Sequence, residues 1–125
     1  MREILFRGKT ERFGNWIEGS LIVGRDLESG QLEHLIAPLS AYYTEVKKVI
    51  PETIGQYTGL NDKNGTKIFE GDIVAFDKNK YVIEWKTERV GFGYGHRADR
   101  MLEVDGKHCE VIGNIHNKPE LLGDE

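Results

Sequence analysis

Apolar and polar positions change places over short intervals along this chain, the period of strands rather than helices. In "EILFR" the alternation sets Ile4 and Phe6 on one face and Leu5 and Arg7 on the other. "WIEGSLIVG", Trp16 to Gly24, is a run of strand formers bounded by turn formers. Arg25 to Gln31, "RDLESGQ", reads as a turn, and "LEHLIA" as a strand ending near Pro38. Leu39 to Val49, "LSAYYTEVKKV", has some helical character, yet its tyrosines and β-branched residues fit a strand as well, so helix and strand stay open there.

Beyond Pro51 the same short period continues. In "TIGQYTGL", Ile54, Gln56 and Thr58 share one face and Tyr57 the other. Asn61 to Gly65 reads as a turn, with the Asn-Gly pair that tolerates positive φ. "EGD", Glu70 to Asp72, punctuates the chain before Ile73 to Phe76, a strand too apolar to have a wet face. Gly71 would permit an otherwise strained backbone there, and Asp72 can accept from nearby amides. "KNK" turns again, and "YVIEWK" alternates, so Ile73–Phe76 and Tyr81–Trp85 read as a hairpin. Asp105-Gly106 signals a further hairpin between Met101–Val104 and Cys109–Ile115. Many short strands with frequent turns predict an all-β or mainly-β fold of barrel type, with at most one short helix.

Composition narrows this picture. The chain has 125 residues, 38% of them hydrophobic and 30% charged, which suits one compact unit or two intimate subdomains. So small a chain buries a modest fraction of its surface, and self-association would add to that burial. The formal charge of −4 argues against a dedicated nucleic-acid binder without excluding a local basic patch. A single cysteine, Cys109, cannot form an internal disulfide. No segment approaches the roughly 20 apolar residues of a membrane span. The N-terminus is charged from its second residue and lacks the apolar stretch of a signal peptide. A soluble cytoplasmic protein with no membrane partner is the expectation.

Candidate chemistry is sparse. His34, His96, His108, Cys109 and His116 are the metal-ligand types, but no Cys-x-x-Cys, His-x-His or His-Glu-x-x-His spacing occurs. His108 and Cys109 are adjacent and would point to opposite faces of a strand. Cys109 with His96 or His116 would make a Cys–His pair by residue type only, and a small enzyme built on Cys109 or a histidine is one rival reading. Ser20 and Ser40 lie in no nucleophile-elbow context, and "GFGYG" has neither the spacing nor the following helix of a phosphate loop. Glu70, Asp72 and Asp62 could be paired carboxylates, but structural use in turns explains them more economically. No catalytic residue, metal or cofactor is expected.

One region stands apart in charge. Lys78, Lys80, Lys86, Arg89, Arg97 and Arg100 fall among Trp85, Phe92 and Tyr94, and only Glu84, Glu88 and Asp99 offset them, leaving +3 between residues 78 and 100. Cations there could neutralise phosphates while rings stack on bases, so a nucleic-acid-binding barrel is the other rival. The alternative is a solvated loop beside buried rings, which the acidic chain as a whole favours.

Three stretches carry a family resemblance. "ETIGQYTGLNDKNGTKIFEGDIV", Glu52 to Val74, resembles the hallmark block of the YopX family, small proteins of bacterial phages and prophages. "MREILFRGK" with "NWIEGSLI" is similar to the family's N-terminal strands, and "EVIGNIHNKPELL", Glu110 to Leu122, to its C-terminal signature. Gly55, Gly59, Asp62, Gly65, Gly71, Asp72, Gly113 and Asn114 are the signature positions of these blocks, expected to be structural. The resemblance implies an N-terminal β subdomain over 1–53, a small SH3-like barrel over 54–125, and homo-oligomers in the host cytoplasm. It carries over no catalytic residue, and it leads to a non-enzymatic binding or assembly module.

Overall fold

The computed structural model of the chain describes residues 3–39, 46–86, 91–94, 100–101 and 106–121. These form antiparallel strands and short 3-10 turns, so the fold is mainly β. Two compact units divide at Gln56/Tyr57.

In the first unit, β1 (Phe6–Lys9), β2 (Trp16–Arg25), β3 (Leu32–Pro38) and β4 (Lys47–Lys48) pair in the order β4-β3-β2-β1. The first residues of β5 (Gly55–Asn61) pair with β1, Gly55 against Arg7 and Gln56 against Phe6, which carries the unit past the expected end at residue 53. Leu5, Ile36 and Val49 are its buried apolar residues, and Ile4 is exposed, so of the two faces of "EILFR" the Leu5 side is the inner one at that end. Of Leu39 to Val49, Lys47–Lys48 is strand, and residues 40–45 lie outside the described part. The Pro51–Thr53 turn is pinned to β1 by one hydroxyl: Thr53 Oγ1 donates to the Ile50 carbonyl at 2.6 Å and accepts from the Lys9 amide at 2.9 Å.

The β2–β3 hairpin outruns its neighbours. Its ladder runs from Gly19–Pro38 to Arg25–Leu32, whereas β1 pairs with β2 only as far as Gly19 and β4 with β3 only at Leu35 and Ile36. Among the described residues its outer half is therefore a two-stranded ribbon. At the root the strands approach closely: a Cβ on Gly19 would overlap the Ala37 carbonyl, 2.7 Å from its carbon. At the tip, Asp26 organises the turn, its Oδ1 accepting from the Glu28 amide at 2.9 Å and its amide donating to Gln31 at 2.9 Å.

In the second unit, the rest of β5 pairs with β6 (Lys67–Phe69). β7 (Asp72–Phe76) and β8 (Asn79–Val82) form a hairpin, followed by β9 (Glu84–Lys86), β10 (Gly91–Tyr94), β11 (Arg100–Met101) and β12 (Glu110–Asn114). Two three-stranded sheets result, β12-β7-β8 and β11-β10-β9. Among the described residues these pairings do not by themselves close the expected SH3-like barrel. Ile68, Val74, Ile83 and Cys109 make the core, with Leu60, Phe76, Tyr81 and Val111 packed against it. Ile73 and Val74 are both fully buried, as a strand without a wet face requires.

Two hairpins differ from the sequence reading. The β7–β8 ladder ends at Val82 instead of Trp85. Ile83 is drawn into the core and bonds the Gly71 turn, donating to Asp72 O and accepting from the Gly71 amide, both at 2.9 Å. The chain past it then pairs with β10 instead. Nor do Met101 and Cys109–Ile115 pair across Asp105-Gly106: β11 joins β10, and β12 joins β7. The core burial of Cys109 and the long strand β7 win over a local turn signal.

Candidate functional site

The acidic residues of the Glu52–Val74 block are the first place to look for chemistry. Asp62 is buried at the head of the turn after β5. Its Oδ1 accepts from the amides of Asn64 (2.8 Å) and Thr66 (2.9 Å), and its Oδ2 from the amide of Val111 (2.9 Å) on β12. Burial opposes its ionisation, but the Val111, Thr66 and Asn64 amides outweigh that and hold its pKa below the ordinary carboxylate value. An acid so held is a poor proton donor or acceptor near neutrality. It is a clamp: one carboxylate closes a local turn and ties it to a strand 49 residues away.

Ahead of it, β5 carries an irregularity between Tyr57 and Asn61, where Gly59 has φ 87°. Thr58 fills the gap in the ladder: its hydroxyl donates to Ile68 O at 2.8 Å and accepts from the Leu60 amide at 3.2 Å. Phe69 to Asp72 makes the next turn. Gly71 has φ 92°, which a side chain resists, although a Cβ would find room, with His116 Nε2 nearest at 3.6 Å. Buried Asp72 accepts the Phe69 amide at 2.7 Å. On β12, Gly113 lies opposite Ile73 and Asn114 opposite Asp72. Asn114 Oδ1 accepts from His116 (3.0 Å) and Asn117 (2.9 Å), shaping the turn that follows. Gly65 ends the Asp62 turn, its amide donating to Asp62 O at 3.0 Å, and Gly55 is buried opposite Arg7.

The residue types considered for catalysis do not converge. Cys109 is buried in the apolar core. His108 is exposed, His116 lies by Gly71, and His34 is on β3 of the other unit. His96 and Ser40 fall outside the described residues. Among the described residues, no group of His, Cys, Asp and Glu could hold a metal ion. The first unit has an open depression of about 240 Å³ near the ribbon, lined among others by Glu11, Asp26, Glu33, His34 and Lys48. Lys48 and Glu33 pair at 3.2 Å across it, and this bond raises the Lys48 pKa. His34 Nδ1 is buried there and bonds no described group.

The described parts of the basic and aromatic region lie on strands. Lys78 and Lys80 are exposed on the β7–β8 hairpin, whose tight turn gives both Asp77 and Lys78 positive φ. Trp85 and Lys86 lie on β9 and Arg100 on β11, while Arg89 and Arg97 are outside the described residues. Phe92 is opposite Trp85, and Tyr94 opposite Arg100.

The YopX protein family matches residues 5–123, nearly the whole chain. The chain belongs to the YopX family. In this YopX chain the hallmark block and the C-terminal block, far apart in sequence, are joined by the Asp62 bond to the Val111 amide and by the β7–β12 pairing that sets Asp72 opposite Asn114. A crystal structure of protein EF1440 from Enterococcus faecalis is similar in fold, with a TM-score of 0.60 and 23% identity over 98% of this chain and 99% of that one. Likeness at that identity speaks for the fold of a YopX chain and not for an activity. No curated protein matches the chain at a significant level.

Proposed function

We propose that this YopX-family chain is a non-enzymatic binding or assembly module of a phage or prophage, working as a homo-oligomer in the cytoplasm of the host bacterium. The observation that carries the reading is the β2–β3 ribbon. Its outer half has one strand on each side unpaired among the described residues, and it exposes apolar side chains: Val23 at 52%, Leu27 at 101% and Leu32 at 56%. Val23 and Leu32 share a face by register, and Leu27 is at the tip. A two-stranded ribbon is marginal by itself in water, and a second copy laid along its β2 flank would extend the sheet and cover that face. Such a contact is self-complementary and closes as a two-fold dimer. The edge at β4, by contrast, carries Lys47 and Lys48, a pairing-averse end.

The non-enzymatic half of the proposal is supported by how the acidic residues are used. Asp62 and Asp72, the strongest candidates for acid–base work, are both engaged with backbone amides in the hallmark turns. Light scattering across a dilution series tests self-association: a mass above that of one chain, falling on dilution, is expected. A single-chain mass at every concentration would end this reading.

A further inference from the structure

We infer that two copies of this chain join along β2 in one register: antiparallel, with Val23 on the two-fold axis. The inference rests on the self-association proposed above and specifies how it is built. In an antiparallel ladder, successive residues turn their amide and carbonyl to opposite flanks of the strand. Two bonds fix that parity on β2. The Thr10 amide donates to the Asn15 carbonyl at 2.8 Å, so Asn15, Ile17 and Gly19 face β1. The Asp26 amide donates to the Gln31 carbonyl at 2.9 Å, so Asp26, Gly24, Ile22 and Ser20 face β3. The two agree, and Pro38, with no amide to give, stands opposite Gly19 at a position that needs none. Beyond Gly19, where β1 stops pairing, the outward backbone groups of Leu21, Val23 and Arg25 therefore meet no described strand.

A second copy can satisfy these groups in few ways. An axis at Val23 sets Val23 against its own copy and Leu21 against Arg25 of the other chain, so all three residues bond. An axis at Ile22 pairs Leu21 with Val23 but leaves Arg25 unmet, because its counterpart Gly19 is already held by β1. An axis at Gly24 pairs Val23 with Arg25 and sends Leu21 to Leu27, inside the turn. An axis at Arg25 puts two like charges directly opposite each other. The side chains favour the Val23 axis as well. It lays Ile22, 42% exposed, beside Gly24 of the other copy. A Cβ on Gly24 would meet nothing within 4 Å, so there is room for that side chain. On the opposite face the two valines cover each other, and Leu21 runs along the aliphatic stem of Arg25.

The test is cross-linking with a short bismaleimide, on single variants Val23→Cys, Leu21→Cys and Arg25→Cys, beside light scattering on the wild type. The native thiol, Cys109, is fully buried, and the wild type serves as the control for it. Directly paired residues lie about 5.5 Å apart. Two copies of Arg25, or of Leu21, lie roughly 14 Å apart at the strand rise. Val23→Cys should therefore cross-link at least ten-fold faster than either other variant alone. An equimolar mixture of Leu21→Cys and Arg25→Cys should cross-link as fast as Val23→Cys, and this arm carries the test should the change at Val23 itself weaken association. A wild type that associates while Leu21→Cys or Arg25→Cys links fastest alone, or while the mixture links no faster than its components, would overturn the register and leave self-association standing. A wild type that scatters as a single chain at every concentration would remove both.

Discussion

Two turns in this molecule are headed by an aspartate, and they lead very different lives. Asp26 sits at the tip of the β2–β3 ribbon and Asp62 at the end of β5. Both accept a backbone amide two residues on, Glu28 and Asn64, and the pKa of both is lowered. For Asp26 the Glu28 amide is the main cause, and the group is in solvent. Asp62 is buried, holds two further amides, and reaches strand β12. The same local motif is a surface ornament in one place and a long-range clamp in the other. What separates them is whether the second carboxylate oxygen meets another part of the chain. The ribbon therefore draws its stability from its root, and its tip is available for contact with other molecules, while the hallmark turn is consumed by the fold.

This contrast can be broken at its root first. Gly19→Ala forces a methyl group against the Ala37 carbonyl, and thermal melts should show a loss of about 3 kcal/mol or more, the largest of the series. Asp62→Asn comes next. It replaces one acceptor oxygen by a donor, leaving buried amides unmatched, and should cost about 2–3 kcal/mol at neutral pH. The sign of its pH dependence follows from the lowered pKa. The folded protein holds the Asp62 proton less tightly than the unfolded chain, so the stabilisation is full above the ordinary carboxylate range and fades as pH falls through the folded value. The melting temperatures of wild type and Asp62→Asn should then converge below about pH 4. A gap that stays constant to acid would show that Asp62 is not the clamp described.

Gly71→Val should destabilise by about 2 kcal/mol or more, chiefly through backbone strain, since a Cβ meets nothing closer than 3.6 Å but φ is 92°. Denaturant midpoints at matched slopes would measure it, and an unchanged midpoint would reopen the stretch as a site. At the small end is Asp26→Asn. It should leave the melting temperature within about 2 °C of wild type, because a turn carboxylate bonded only within its own loop contributes little.

How much of this was readable from the chain differs between the same two regions. The strands on either side of the Arg25–Gln31 turn, the turn after β5 and the positive φ of Gly71 follow from residue type and period. Asp62 as a turn residue was legible too, but its bond to Val111 was not, because nothing local in "NDKNG" says which distant amide its second oxygen will meet. The role of Thr58 is hidden for a related reason: a hydroxyl filling a gap beside Gly59 looks, in sequence, like any strand threonine. Alternation carries the expected β7–β8 ladder through Ile83, where core burial overrides the period. Gly19 drew no notice because close approach of two backbones leaves no mark beyond the glycine itself. The family resemblance located the blocks, and the structure supplies the bonds that join them.

The central claim is that the ribbon, and not the hallmark, is where one chain meets another. Sedimentation velocity on the wild type beside the double variant Val23→Lys/Leu32→Lys tests it most directly, with circular dichroism to establish that both are folded. The account predicts an oligomer for the wild type and a folded single chain for the variant, since both changes lie on one exposed face of the ribbon. A variant that sediments with the wild-type mass would contradict it.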